Sequence, residues 1–174
     1  MKKELLEIRK SRIGDLEKFT EIYNKAIESA RCTCDRTPLT PQQRMPWFEE
    51  HQCERFPLYA CVYDGRTVGY ISLSPYKTRE ALADVAEVSY YLDFDYCRMG
   101  LGTEMLSFIL EEAKKLGFKA VIAVIVGGNT ASTSLAKKCG FAEWGRMPKI
   151  CNFDGRLEDH LYYGIHLNRV LFMD

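Results

Sequence analysis

The sequence lacks an apolar run close to the roughly 20 residues that a helix needs to cross a bilayer. Residues 1–7, Met-Lys-Lys-Glu-Leu-Leu-Glu, contain no apolar signal-peptide core. We therefore expect a cytoplasmic protein with no membrane partner.

Net charge is also absent, because 24 Lys and Arg residues balance 24 Asp and Glu residues. A nucleic-acid binder driven by overall positive charge is thereby excluded, and we expect no nucleic-acid partner. The seven cysteines are odd in number and include no Cys-x-x-Cys pair, and the three histidines show no metal-ligand spacing relative to them. We expect neither a disulfide framework nor a metal site.

A glycine-containing turn is the most informative segment that is present. An apolar segment at residues 86–92 predicts a strand, and residues 102–116 predict a helix with one apolar face. Between them stands Arg98-Met99-Gly100-Leu101-Gly102-Thr103. Glycines let a ligand approach the backbone, and the unpaired amides at a helix start attract anions. Because no Lys-Ser/Thr pair follows, the turn is not a nucleotide P-loop, and it suits a pyrophosphate.

The whole chain, residues 1–174, reads as one α/β domain without linkers or repeats. The predicted order is β-α-α-β-β-β-α-β-α-β. Helices are expected after Asp15, after Thr40-Pro41, and over residues 102–116 and 130–139. Strands are expected over residues 8–10, 58–63, 68–73, 86–92, 119–126 and 161–167, with a hairpin turn at Asp64-Gly65.

The glycine turn resembles the hallmark of the GNAT acetyltransferases, Arg/Gln-x-x-Gly-x-Gly/Ala at the start of the helix after the fourth strand. Cys97 stands at the usual first position, and Arg98 follows it. A second hallmark, an Asn before a helix that ends in Gly-Phe, corresponds to Asn129 and Gly140-Phe141.

Within that superfamily, residues 8 to 145 resemble the phosphinothricin N-acetyltransferases. The matching segments are Ile22-Tyr23-Asn24-Lys25-Ala26-Ile27, Ser74-Pro75-Tyr76 with Lys77 and Arg79 after it, and Ala86-Glu87-Val88-Ser89-Tyr90-Tyr91. The tail departs from the family pattern, because residues 155–160 read Gly-Arg-Leu-Glu-Asp-His where the family often has Gly-x-Trp-His-Asp-Val.

The resemblance implies a mixed, mostly antiparallel sheet flanked by helices, with a splayed central strand pair, and a homodimer. It also implies acetyl-CoA as cosubstrate and an amine as the second substrate. The residues expected to hold the coenzyme through their backbone or side chains are Tyr90, Tyr91, Leu92, Arg98, Met99, Gly100, Leu101, Gly102, Thr103 and Asn129.

Glu87 is the candidate general base, since an ammonium acceptor must lose a proton before it attacks a thioester. The position at which relatives carry a Tyr or His general acid is occupied by Ala136, which has no proton to give. Lys77 and Arg79 form a candidate site for an acidic group on the acceptor, and by the same resemblance Asp35 borders the acceptor pocket.

The resulting hypothesis is direct acetyl transfer from acetyl-CoA to the amino group of a small, amino-acid-like acceptor of the phosphinothricin or methionine sulfoximine type. Two alternatives stay open. One is an acetyltransferase of proteins or peptides, and the other is a non-catalytic acyl-CoA-binding module. The sequence does not identify the acceptor.

Overall fold

A computed structural model describes residues 5–167, which build a seven-stranded sheet in the order β1-β2-β3-β4-β5-β7-β6. All neighbouring strands are antiparallel except β4 and β5, which are parallel. The strands are β1 (Leu6–Lys10), β2 (Leu58–Tyr63), β3 (Arg66–Pro75), β4 (Val85–Leu92), β5 (Ala120–Val126), β6 (Ala142–Phe153) and β7 (Arg156–His166). The helices are α1 (Leu16–Glu28), α2 (Pro41–Glu50), α3 (Leu101–Lys115) and α4 (Thr130–Lys138). Within the described range, no helix has the length and apolar character that a bilayer crossing requires.

Helices cover both faces of the sheet. Successive residues of a strand point to opposite faces, so each face contributes its own buried side chains. Leu73 and Val88 belong to a core that includes the apolar side of α3, whereas Tyr70 packs with Phe19 of α1 and Phe48 of α2. We call these the α3/α4 face and the α1/α2 face. Glu87 follows Ala86 of the first core and therefore points to the α1/α2 face.

The parallel pair β4–β5 is joined over only three residue pairs, the last of which is Glu87 with Ile122. Beyond it, β4 continues along β3 to the pair Leu92–Gly69, while β5 continues along β7 to the pair Val126–His160. The two strands thus separate in a V that opens just after Glu87. The expected splayed central pair is confirmed.

Elements with a clear apolar period were predicted correctly in type. The helix expected at residues 102–116 is α3, which begins one residue earlier, and the hairpin at Asp64-Gly65 joins β2 to β3. Both turn residues have positive φ, as that turn requires.

The C-terminal part of the prediction was wrong, because strand β6 was not predicted and β7 begins at Arg156 rather than at residue 161. β6 is an edge strand whose residues are mostly exposed, so the two-residue apolar period is missing. Both residues of the connecting turn, Asp154-Gly155, also have positive φ, as Asp64 and Gly65 have. This second Asp-Gly pair is the sequence signal for the missed hairpin.

Candidate active site

The segment before α3, residues 98–103, is shaped to receive an anion, and we call it the anion loop. Arg98 has φ +64° and Gly100 has φ +83°, so the backbone turns twice through the left-handed region. In the described part of the chain, the amide groups of residues 98–102 meet no hydrogen-bond acceptor. These amide groups lie at the N-terminal end of the 15-residue helix α3, where the helix dipole is positive.

Glycine occupies two positions of the anion loop for different physical reasons. Gly100 needs glycine because its φ lies in the left-handed region. Gly102 has ordinary helical backbone, and a β-carbon there would lie 2.9 Å from Cδ2 of Leu135 in α4. Gly102 therefore permits close packing of α3 on α4, whereas the sequence analysis placed it in the loop that binds the coenzyme.

Asn129 and Tyr90 both contact Ser132 in the first turn of α4. The side-chain oxygen of Asn129 caps α4 by accepting from the amide of Ser132 at 3.1 Å. The Tyr90 hydroxyl lies 2.7 Å from Oγ of Ser132, so its ring reaches from β4 to α4. Burial raises the pKa of Tyr90 to about 12, and the hydroxyl stays protonated at neutral pH. Ala136 of the same helix is fully buried.

The other two strand residues assigned to the coenzyme have no partner strand on their β5 side. Tyr91 points to the α1/α2 face, with its ring 5.0 Å from that of Tyr23 and 5.3 Å from that of Tyr70. Leu92 pairs with Gly69 of β3. Within residues 5–167, the edge of β4 that faces β5 is thus unpaired from residue 88 onward, and an extended ligand could add to it as a strand does.

Glu87 occupies the vertex of the V and is half-buried. In the described range its carboxylate has no hydrogen-bond partner and no salt bridge within 4.0 Å. Burial raises the pKa of Glu87 above the ordinary glutamate range, and the positive charge of Lys77 opposes part of that rise. A partly desolvated, unengaged carboxylate with a raised pKa is suited to accept a proton.

Polar side chains of β3 lie beside Glu87 on the same face. Ser74 is its cross-strand neighbour, and Ser72 is two residues before Ser74. The Ser74 hydroxyl lies 3.1 Å from Nε2 of His51, whose Nδ1 donates to the carbonyl of Trp47 at 2.8 Å. Nε2 is therefore the acceptor, and Ser74 donates to it. The buried hydroxyl of Ser72 has no partner within the described residues.

Tyr162 of β7 was missed by the sequence analysis. Burial, with smaller contributions from the negative charges of Tyr76 and Glu87, raises the pKa of Tyr162. The register places Tyr162 opposite Val124 of β5, two residues beyond the Glu87 partner Ile122 and on the same face of the sheet. We call the set formed by Ser72, Ser74, Lys77, Glu87 and Tyr162 the Glu87 cluster. Ser72 and Ser74 precede Pro75 in a segment that matches the family, but neither was assigned a role. Tyr162 lies outside every family motif, and only the alternation of His160 and Tyr162 with buried Leu161 and Tyr163 marked its face.

The three residues predicted to bind the acceptor are placed differently. Lys77 is exposed but close enough to Glu87 to act on its pKa. Arg79 is exposed in the same loop, without a salt bridge in the described range. Asp35 lies in the loop after α1, where its carboxylate accepts from the Tyr23 hydroxyl at 2.5 Å. The structure therefore brings Lys77, but not Arg79 or Asp35, to the Glu87 cluster.

Comparison with known proteins decides the family. The acetyltransferase (GNAT) domain model matches residues 6–142. The chain belongs to the GNAT acetyltransferase family. It is 38% identical over 165 residues to YwnH of Bacillus subtilis (strain 168), covering 94% of this chain and all of that protein.

Two further proteins with acetyltransferase names are similar to this chain over most of its length. An L-methionine sulfoximine/L-methionine sulfone acetyltransferase of Pseudomonas aeruginosa is 30% identical, covering 92% of this chain and 94% of that protein. The crystal structure of a GNAT phosphinothricin acetyltransferase from Sinorhizobium meliloti, in complex with acetyl-CoA, has a TM-score of 0.89 and 27% identity, covering 94% of this chain and 89% of that one.

This GNAT protein is accordingly an N-acetyltransferase. Glu87 stands at the vertex of the V, and the anion loop follows the end of β4, towards which the V opens.

Proposed function

We propose that this enzyme transfers the acetyl group of acetyl-CoA directly to the amino group of a small, amino-acid-like acceptor, with Glu87 as general base. One observation carries the proposal. The half-buried carboxylate of Glu87 stands at the last residue pair joining β4 to β5, where the V opens.

The coenzyme assignment rests on the backbone groups of two segments. The free amides of the anion loop can donate to the pyrophosphate, and the unpaired edge of β4 at Tyr90, Tyr91 and Leu92 can pair with the amide-containing arm. The side-chain amide nitrogen of Asn129 is available for the same ligand, because only its oxygen is used in the helix cap. Arg98, Met99, Leu101 and Thr103 contribute as members of the anion loop.

The chemistry requires one proton transfer and one bond exchange. Glu87 takes a proton from the acceptor ammonium, directly or through water, and the free amine attacks the thioester carbonyl carbon. The new C–N bond forms as the C–S bond breaks, and the thiolate of coenzyme A leaves. A thiolate is a good leaving group, since the thiol pKa is about 8.5. The transfer therefore needs no dedicated general acid at the position of Ala136.

The acceptor proposal combines the relatives' names with the position of Lys77. The Pseudomonas aeruginosa relative is named for L-methionine sulfoximine and L-methionine sulfone, both of which carry an α-amine and a carboxylate. Lys77 places a cation near the base. Such a cation can hold an acidic group while the amine faces the thioester, which lowers the entropic cost of reaching the attack geometry. Arg79 and Asp35 are proposed as outer contacts of the same acceptor.

An acceptor screen tests this proposal. Release of coenzyme A thiol is measured with methionine sulfoximine, methionine sulfone and phosphinothricin, against two controls. One control is a set of simple amines without an acidic group, and the other is a set of short peptides. We expect the amino acid analogues to give the highest kcat/KM.

Two results would contradict the proposal. Equal turnover of simple amines would remove the need for an anion contact, and preferred turnover of peptides would support the protein or peptide alternative. If acetyl-CoA bound tightly but no acceptor was turned over, a non-catalytic module would be favoured.

We also propose a homodimer and a cytoplasmic location. Four large apolar side chains of the β6–β7 hairpin are about half exposed, namely Trp144, Met147, Ile150 and Leu157. An exposed apolar group of this size is typical of an interaction surface. Light scattering of the purified chain should give the mass of two chains, and a monomer would exclude the dimer.

A further inference from the structure

Three chain segments that are distant in sequence bring two thiols and an imidazole together beside Tyr162. Cys34 lies in the loop after α1, Cys151 in β6 and His160 in β7. Their donor atoms, the two Sγ atoms and one ring nitrogen, all lie within 4.8 Å of one another. We propose that Cys34, Cys151 and His160 form a binding site for a soft divalent metal ion of the Zn²⁺ type, which ties the loop after α1 to the C-terminal hairpin.

The backbone explains why two of these side chains share a face. Cys151 pairs with Glu158, and His160 is two residues further along β7, so both point to the α1/α2 face. A register shift between Met147 and Cys151 brings the thiol into this position. Cys34 comes from the loop after α1 rather than from the sheet. The next residue of that loop, Asp35, is held by a hydrogen bond from the Tyr23 hydroxyl.

Distances favour a metal over a disulfide. The two Sγ atoms are 3.3 Å apart. A tetrahedral zinc ion with Zn–S bonds of about 2.3 Å separates its sulfur ligands by roughly 3.8 Å, so the thiols would move apart by about 0.5 Å. A disulfide bond of about 2.05 Å would require the same atoms to approach by more than 1 Å. A disulfide would also leave the adjacent imidazole without a role.

The surroundings meet the other needs of such a site. Cys151 is buried and packs with Val126 and Phe153, and this apolar shell limits access of water. Cys34 is an exposed loop residue, so a metal ion can reach the thiols and the loop can adjust its position around the ion. In the described range, His160 has no hydrogen bond, so its ring nitrogens are free to ligate. Three protein ligands of the Cys₂His type leave a fourth position open.

The proposal departs from the sequence-based expectation of no metal site. That expectation rested on spacing along the chain, and the ligands here are 117 residues apart between Cys34 and Cys151. The metal site does not depend on the identity of the acceptor or on Glu87, because its test measures metal binding rather than turnover.

The test uses reduced, metal-free protein without an affinity tag, titrated with Co²⁺ in the absence of oxygen. We expect one equivalent of Co²⁺ per chain, a thiolate-to-cobalt charge-transfer absorption, and displacement of Co²⁺ by Zn²⁺. The same Zn²⁺ addition should raise Tm, since the ion binds the folded chain.

Variants locate the site. Cys34→Ser and His160→Gln should each weaken Co²⁺ binding by more than about 100-fold, because loss of an outer partner of a ligand already costs about 10–100-fold. Cys32→Ser is the matched control, since Cys32 lies in the same loop two residues earlier and should leave binding unchanged. Circular dichroism of each variant checks that it is folded.

Three results would overturn the proposal. These are absence of the charge-transfer absorption in the reduced protein, the same absorption in Cys34→Ser as in the parent, and recovery of the freshly purified chain as a Cys34–Cys151 disulfide by mass spectrometry.

Discussion

The anion loop and the Glu87 cluster expose different parts of the chain. The anion loop offers main-chain amides from consecutive residues, held by the left-handed backbone at Arg98 and Gly100. The Glu87 cluster offers side chains from β3, β4, β7 and the loop after β3. Side-chain substitutions should therefore affect the anion loop mainly through its conformation, and should affect the Glu87 cluster directly.

The same difference separates the two halves of the reaction. A coenzyme common to many enzymes can be held by backbone groups that any sequence supplies, provided that glycine allows the turn. The acceptor has to be distinguished by charge and shape, which only side chains provide. The following substitutions test whether the two regions are as separate as this comparison implies.

Glu87→Gln should have the largest effect, because it removes the proton acceptor while keeping the shape of the side chain. We expect kcat to fall by about 100-fold or more, with acetyl-CoA affinity unchanged. The parent rate should rise with pH through the ionisation of Glu87, whose pKa burial raises, and this inflection should be lost in the variant. Unchanged kcat would mean that solvent removes the proton.

Stability gives an independent check on Glu87. A carboxyl group whose pKa is raised by folding binds protons more tightly in the folded state, so it stabilises that state at low pH and loses this contribution as pH rises through the raised pKa. Glu87→Gln should therefore raise Tm at pH 7, and the gain should shrink as the pH falls. A lower Tm at pH 7 would indicate a structural role for the carboxylate.

Lys77→Met should raise KM for amino-acid acceptors by about tenfold, since loss of a charge-assisted contact costs on the order of 1.5 kcal/mol. It should also move the pH–rate inflection upward, because Lys77 opposes the rise in the Glu87 pKa. Arg79→Met is the matched control in the same loop and should leave the inflection in place. An identical upward shift in both variants would show that general loop charge, rather than Lys77, acts on the base.

The sequence was informative where function depends on consecutive residues. Arg98 to Thr103, Asn129 and Glu87 all stand in motifs, and the open V was predicted around them. Tyr162 and the Cys34–Cys151–His160 group were not found, because they take their places only when β6 and β7 complete the sheet. β6 had no apolar period to reveal it, since its residues are mostly exposed.

Gly100→Ala should have an intermediate effect that begins in the backbone. An alanine at φ +83° is strained by about 1–2 kcal/mol, which corresponds to a decrease in Tm of roughly 2–8 °C for a chain of this size. If the loop relaxes, its amides turn away, and the increase in Tm produced by acetyl-CoA should become smaller. Melting curves with and without acetyl-CoA measure both effects. A full coenzyme response in the variant would remove the anion loop from coenzyme binding.

Gly102→Ala should have the smallest effect, although Gly102 belongs to the same motif. Its β-carbon would point to Leu135 of α4, at 2.9 Å from the end of a flexible side chain that can rotate away. Alanine also favours the helical backbone by about 1 kcal/mol, which offsets the crowding. We expect Tm to change little and acetyl-CoA affinity to stay within about twofold of the parent, as measured by calorimetric titration. Leu135→Ala should make room for the new methyl group, so any loss of Tm in Gly102→Ala should be smaller when Leu135→Ala is the background. A large loss of affinity in Gly102→Ala at unchanged Tm would show instead that the coenzyme approaches the backbone at Gly102 itself, and the packing explanation of this glycine would then be wrong.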